Sequence, residues 1–357
     1  MLPAIPLIDA RSDPLATADP AAVGALRDTI FGSFRSIAAG ALPVADRVAR
    51  RWLARSTSPY LAELDAIAAR TRTAGTYAIN LSYEYGCTTL ARADAPGLAP
   101  TLRRTLDWPF RGLGRAAIVA HRCGPAGEFF DVTWPGAVGT LTAVAPGRFA
   151  AAINQAPLLR RTRAEILRPL DYTRNLVSTL SRERGMPPLH LLRHVFETAP
   201  TFSHALERLQ SVELARPVLF TLVGCAPDDI AVIERRERDA TLHLGPGSVA
   251  NDWREPQIGW EPRPCALEDR RLDSVTRCAT IEEAVSGASG HFSWVLPPVR
   301  NWNTRVAVEM NAGEGWLRAL GFEPCNDVDA APATLPFETC HSSAACVTEE
   351  RLVTPAQ

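Results

Sequence analysis

The chain of 357 residues contains no lysine, so all 38 of its basic residues are arginine. That excludes Schiff-base, P-loop and Ser–Lys chemistries, each of which needs a lysine amine. Charge of one sign is also missing: 38 arginines against 39 acids leave a net charge of −1. A general nucleic-acid or membrane-surface role is therefore not expected. No run of about 18 apolar residues suggests a membrane span or anchor. The stretch Met1-Leu2-Pro3-Ala4-Ile5-Pro6 has neither the charged start nor the apolar core of a secretory signal. Cysteines 87, 123, 225, 265, 278, 325, 340 and 346 are scattered without a paired C-x-x-C spacing, which makes zinc-site and thioredoxin readings poor. No metal and no cofactor is expected. Without a secretory signal the cytoplasm is the default location, with most thiols reduced and several simply buried.

A hydrophobic content of 46% and a charged content of 22% suit a globular protein. The length allows one large domain or two ordinary ones. Residues 20–75 read as helical: an alanine-rich stretch ends near Pro43, apolar residues recur at helical spacing from Asp46 to Ala54, and Ser58-Pro59 is a helix-start signal. Thr76 to Tyr85 is aromatic and β-branched enough to be extended. From Cys87 short apolar runs follow one another, 87–92, 116–121, 129–134, 140–144 and 148–154, separated by Gly and Pro as antiparallel sheets require. Helices return over 161–184, 189–198 and 202–212, then strands over 218–224, 230–235 and 241–244. Such a succession suggests stacked sheets flanked by helices. The tail after about Cys325 has little periodicity and reads as irregular.

The chain is organised around Asn80-Leu81-Ser82-Tyr83-Glu84-Tyr85-Gly86-Cys87-Thr88-Thr89, followed by Arg104-Thr105-Leu106-Asp107-Trp108. Taken alone, Cys87 is more often a buried thiol than a nucleophile. Here a small residue precedes it, two hydroxyl residues follow it, and an Arg-x-x-Asp pair lies downstream. Cleavage of the Gly86–Cys87 bond would free an α-amine, of ordinary pKa about 7.7–8.0, on the residue that carries the thiol. That amine can serve as the base for its own nucleophile, so no separate histidine is required. Arg104 would favour thiolate and Asp107 would hold the amine. Arg103 competes with Arg104, and the spacing to Asp107 favours Arg104. Gly86 is read as permitting a strained, accessible peptide. The seven histidines (121, 190, 194, 204, 243, 291 and 341) lie in no local signature of a papain-like Cys–His pair.

Asn-Leu-x-Tyr-Glu…Cys-Thr-Thr…Arg-x-x-Asp-Trp-Pro resembles the acid ceramidase and N-acylethanolamine-hydrolysing acid amidase family, a branch of the choloylglycine-hydrolase-like N-terminal nucleophile hydrolases. Val249-Ala250-Asn251-Asp252-Trp253 is similar to that family's Thr-Asn-Tyr-Asp-x-Trp stretch, and Glu268-Asp269-Arg270-Arg271 to its Asp-Asp-Arg-Arg. Without the resemblance, an Asn-Asp turn and a solvated charged face are the ordinary readings. Asn154-Gln155 sits where the family has an Asn-Glu or Asp-Glu pair, and Pro298 to Glu309 resembles its last core strand. The resemblance covers roughly residues 45–322.

The resemblance implies an α+β fold, a four-layer αββα sandwich with two stacked, mainly antiparallel sheets. It implies self-cleavage into an α chain of residues 1–86, helical, and a β chain of residues 87–357 that stay together as partners. In it Asn251 supplies the oxyanion-hole amide and Arg270 reaches the nucleophile, while Arg271 pairs with carboxylates. Glu84, Trp108, Asn154 and Gln155 are candidate substrate contacts. The implied substrate is a small-molecule N-acyl amide with a hydrophobic acyl group, with neither nucleic acid nor a stable membrane anchor as partner. Acyl transfer from the thioester to an amine is a competing outcome of the same site; a non-catalytic binding or scaffold protein is another.

Overall fold

The computed structural model describes residues 1–32, 35–81, 85–162, 164–181, 185–263, 265–287 and 290–340. In chain order the strands are β1 (Leu7–Asp9), β2 (Gly86–Ala93), β3 (Pro100–Asp107), β4 (Ile118–Gly124), β5 (Gly127–Thr133), β6 (Thr142–Ala145), β7 (Phe149–Gln155) and β8 (Leu158–Leu159). After the middle helices come β9 (Val218–Val223), β10 (Ile230–Arg235), β11 (Ala240–Leu244), β12 (Gly247–Val249), β13 (Trp260–Glu261), β14 (Thr304–Asn311), β15 (Trp316–Pro324), β16 (Ala330–Pro332) and β17 (Phe337–Cys340). The helices are α1 (Pro20–Phe31), α2 (Arg35–Leu53), α3 (Leu61–Thr71), α4 (Thr76–Asn80), α5 (Arg168–Leu180), α6 (Pro188–Thr198), α7 (Phe202–Ser211) and α8 (Arg270–Gly287).

One sheet has eight strands in the order β1-β4-β5-β6-β7-β9-β10-β11. A second runs β12-β2-β3-β14-β15-β16, with β17 also on β15. Neighbours are antiparallel except β1 on β4. Strands β2 and β3 lie face to face with β7 and β9, so the two sheets stack. Helices α6 and α7 cover the outer face of the first sheet, and α8 covers β2 and β12 on the outer face of the second. The layer order is αββα, as expected. The inter-sheet core is made by alternate residues of the strands, among them Cys87, Ala91, Leu102 and Leu106 against Phe149, Ala151, Ile153 and Phe220. Fully burying one such large apolar side chain stabilises by about 1.5–3 kcal/mol.

Several local expectations need correction. Helix α2 does not stop at Pro43 but runs through it. Ala49, Trp52 and Leu53 beyond the proline bury against Leu64 and Ile67 of α3, and this packing outweighs the lost hydrogen bond. Residues 76–80 are a helical turn, not an extended approach. The Asp46 carboxylate, from α2, accepts the N–H groups of Gly75, Tyr77 and Ala78 at 2.6, 3.1 and 3.1 Å and caps it. The tail is not wholly irregular, since β16 and β17 pair with β15. Among the described residues no helix is long and apolar enough to cross a membrane.

Candidate active site

Strand β2 places Cys87 at its second residue, and the pleat decides what surrounds it. Register pairs Gly86 with Asp107, Cys87 with Leu106 and Thr89 with Arg104. Successive side chains alternate faces, so Arg104 shares the inner face with Cys87, whereas Asp107 and Gly86 turn to the outer face beneath α8. The competition between neighbouring arginines is thereby resolved: Arg104 points at the thiol, and Arg103 points away from it.

Cys87 is fully buried. Arg104 Nη2 donates to its sulfur, and Arg104 Nη1 is fixed by the Leu141 carbonyl at 3.2 Å and by Thr142 Oγ1. Burial pushes the thiol up to about 11; Arg104 and Arg277 pull it down, Asp107 pushes it up, and the Gln155 N–H favours the thiolate. Of these opposing influences burial is the largest, and it sets the direction of the shift.

Asn251 lies on the other side of the cysteine backbone. Its Oδ1 accepts the Cys87 N–H at 2.9 Å and Arg277 Nη2 at 3.0 Å, while its Nδ2 donates to the Gln155 carbonyl at 2.9 Å. These two N–H donors, with the Cys265 thiol 3.9 Å from the same oxygen, and an acceptor on the other atom fix which way the amide points, and one N–H remains for a further acceptor. Asp107 is buried. Its Oδ1 accepts Thr304 Oγ1 at 2.9 Å and its Oδ2 accepts Asn301 Nδ2 at 3.3 Å. Burial raises its pKa, opposed by Arg277 and by these two hydrogen bonds.

Gly86 does not use a left-handed φ. What it needs is space: a Cβ added there would stand 2.0 Å from Cys265 Sγ, and the next nearest atom would be Asp107 Cβ at 3.3 Å. The strained-backbone reading of this glycine gives way to a steric one. Cys265 is held in place by Asp273, whose carboxylate accepts the N–H groups of Cys265, Ala266 and Leu267 at 3.2, 2.8 and 2.9 Å.

Arg270 is not brought to the nucleophile. It opens α8, is about a quarter exposed, and its Nε lies 3.7 Å from Glu261 Oε1. About two turns, or roughly 10 Å, further along the same helix, Arg277 takes the place expected for Arg270. Its Nη1 donates to the Cys87 carbonyl and, at 2.8 Å, to Thr88 Oγ1; the guanidinium also pairs with Asp273 at 2.9 Å and stands 3.9 Å from Asp107. A sequence signal for it existed. Asp269 Oδ1 accepts the N–H groups of Arg271 and Leu272 as a helix cap, and the buried residues Asp273, Arg277, Ile281 and Val285 recur every four positions. Arg271 pairs with Asp252 at 3.2 Å.

Of the candidate substrate contacts, Asn154 is spent on structure. It is fully buried, donates to the carbonyls of Val249 and Ala250 at 3.0 and 2.9 Å, and accepts Thr89 Oγ1 at 2.7 Å. Gln155 steadies the approach to the cysteine, its Oε1 accepting the Tyr85 N–H at 2.8 Å. Glu84 lies outside the described residues. Trp108 packs edge-on against Tyr85 and Trp134, with ring centroids 6.0 and 5.7 Å away. It also lines an open apolar cavity of about 530 Å³, together with Ile30, Ile79, Phe110, Tyr172 and Leu176.

No protein-family model matches this chain, and no curated protein matches it. Solved structures do. The chain is similar to a Caenorhabditis elegans N-acylethanolamine-hydrolyzing acid amidase ortholog, at 19% identity and a TM-score of 0.47, over 64% of this chain and 93% of that one. It is similar to a mutant of the conjugated bile acid hydrolase from Clostridium perfringens, at 8% identity and a TM-score of 0.39, over 72% and 97% of the two chains. A third is penicillin V acylase from Agrobacterium tumefaciens, at 11% identity and a TM-score of 0.36, over 66% and 82%.

Proposed function

We propose that the protein is a self-processing cysteine amidase of the N-terminal nucleophile kind, acting on an N-acyl amide with a hydrophobic acyl group. The observation that carries this reading is the convergence on one residue. Arg104 meets the Cys87 sulfur, Asn251 meets its N–H and Arg277 its carbonyl, while Asp107 faces Gly86 across the ladder. A buried structural cysteine has no need of two guanidiniums and an amide on its own backbone and sulfur.

In the first step the Cys87 thiol adds to the Gly86 carbonyl and the C–N bond breaks, moving the acyl chain from nitrogen to sulfur. Water then hydrolyses this thioester, leaving a carboxylate on Gly86 and a free amine and thiol on Cys87. In turnover the thiolate attacks the substrate carbonyl, and the remaining N–H of Asn251 donates to the oxygen that becomes negative. One such donor contributes roughly 2.7–4 kcal/mol to the transition state. The Cys87 ammonium gives its proton to the leaving amine, and the amine then takes one from the water that cleaves the acyl-thioester. Arg104 holds the thiolate; Asp107 and Arg277 orient the terminus.

The apolar cavity beside Trp108 supports the hydrophobic acyl group. At about 530 Å³ it is of the size that holds a small organic ligand. The test is turnover of N-acyl amides of increasing chain length by cleaved protein, with hydroxylamine added to trap the thioester as a hydroxamate. Amine release and hydroxamate formation, both absent from Cys87→Ala, are the expected result. Amine release that survives in Cys87→Ala would contradict the assignment.

A further inference from the structure

Arg103 is the arginine that the pleat turns away from the thiol, and it opens onto a second cavity on the far side of the sheet. There β3, β14 and β15 carry a cross-strand row in which Arg103 stands opposite Glu309 and Glu309 opposite Arg318. Arg92 projects from the same face of β2. Beyond the end of α8 this face is left with a concavity of about 410 Å³, walled by Arg92, Arg103, Arg318, His291, Trp294 and Trp316.

The two carboxylates in this wall are already engaged. Glu309 Oε1 accepts the Phe292 N–H at 3.0 Å and the Trp294 indole N–H at 2.6 Å; its Oε2 lies 3.6 Å from His291 Nδ1 and 3.9 Å from Arg318 Nη1. Asp94 Oδ2 accepts Arg103 Nη2 at 2.8 Å and Thr101 Oγ1 at 3.2 Å. Arg318 pairs with Glu338 at 2.7 Å and lies 4.2 Å over the Trp316 ring. This ladder accounts for Arg318 and Glu309. It leaves Arg103 Nη1 buried without an acceptor, and Arg92 Nη1 on a neutral hydroxyl, Ser286 Oγ, at 3.0 Å.

A buried guanidinium N–H needs an acceptor, and Asp94, Glu309 and Glu338 are committed to Arg103 Nη2, to the Phe292 and Trp294 N–H groups and to Arg318, so the acceptor for Arg103 Nη1 has to come from outside the chain. Guanidinium forks match the oxygens of carboxylate and phosphate groups. The cavity has room for more than the anion alone, and the Trp316 ring offers a flat apolar wall beside it. We propose that this concavity binds a small organic oxyanion, a carboxylate or a phosphate on an aromatic or apolar body, at a site separate from Cys87.

The test uses the full chain and four probes, inorganic phosphate, phenyl phosphate, acetate and benzoate, at constant ionic strength. Tryptophan fluorescence and thermal unfolding are read together. A saturable fluorescence change with a rise in Tm is expected, larger for the aromatic member of the pair that binds. A response to the phosphate pair assigns a phosphate ligand, and one to the carboxylate pair assigns a carboxylate. Arg103→Gln and, separately, Arg92→Gln are expected to weaken it about tenfold or more, while cleavage before Cys87 proceeds as in wild type. The second variant keeps the test intact should the first fail to fold. Absence of a saturable response to all four probes, or a response unchanged in both variants, overturns the proposal.

Discussion

At the scale of single residues, the site predicts which arginine of α8 matters. Arg277→Met removes the partner of Asp107 and Asp273, both fully or nearly fully buried. Breaking a buried pair on one side costs about 3–5 kcal/mol, so a clear fall in Tm and loss of cleavage are expected. Arg270→Gln, at a partly exposed pair with Glu261, should lower Tm by clearly less than Arg277→Met and cleave normally. Equal effects of the two would contradict the placement of Arg277. Gly86 gives a sharper prediction. Gly86→Ala forces its Cβ onto Cys265 Sγ and should block cleavage, whereas Gly86→Ala with Cys265→Ala removes the sulfur and leaves the nearest atom at 3.3 Å. Recovery of cleavage in the double variant is the expected outcome, read by gel or mass; no recovery would mean that Gly86 is needed for backbone freedom after all. Cys87, Arg104 and Asp107 stood out in the sequence by short spacing and by a resemblance; Asn251, 164 residues away from Cys87, stood out by the resemblance alone. Arg277 did not, because four adjacent charges at Glu268–Arg271 drew attention from the helix they begin.

At the scale of elements, β2 and β4 to β7 were legible because alternation and Gly/Pro turns act locally, whereas β3, the strand that carries Arg104 and Asp107, was not among the runs read as strands. Helices α2 and α4 were misread because what decides them is distant: the packing of Trp52 and Leu53 on α3, and the Asp46 carboxylate on α4. Helix α6 carries a comparable long-range device. His190 is fully buried against Tyr60, its Nδ1 2.7 Å from Ser58 Oγ, and burial lowers its pKa to about 3, with Arg193 acting in the same direction. An unfolded histidine titrates near 6.5. The folded state therefore refuses a proton that the unfolded state accepts, and the stability present above pH 6.5 is lost as pH falls toward 3. His190→Gln should lessen the loss between pH 7 and pH 5 by about 2 kcal/mol relative to wild type, measured by urea unfolding at each pH. An unchanged slope would mean that His190 takes up a proton in the folded protein.

For the whole molecule, the segment before Cys87 is woven into the rest. Strand β1 extends the first sheet beside β4. Glu63 takes Arg193 Nη1 at 2.7 Å, Tyr60 donates to Glu197 at 2.7 Å, and Trp52 Nε1 donates to the Thr179 carbonyl at 3.0 Å. The two chains that the proposed cleavage would leave should therefore co-elute in native buffer and separate only in denaturant; separation on native size exclusion would contradict this. Stacked sheets flanked by helices were legible from the order of elements, and the four-layer arrangement from the resemblance. The apolar cavity was not, since Ile30, Ile79, Trp108 and Leu176 meet only once the layers are assembled. Everything functional here rests on the bond between Gly86 and Cys87, so the most direct measurement is the intact mass of purified protein, wild type beside Cys87→Ala, near neutral pH. Two fragments of 86 and 271 residues (357 − 86 = 271) in wild type, with a single intact chain in the variant, are the predicted result. A single intact chain in both would leave Cys87 without its amine and contradict the N-terminal nucleophile.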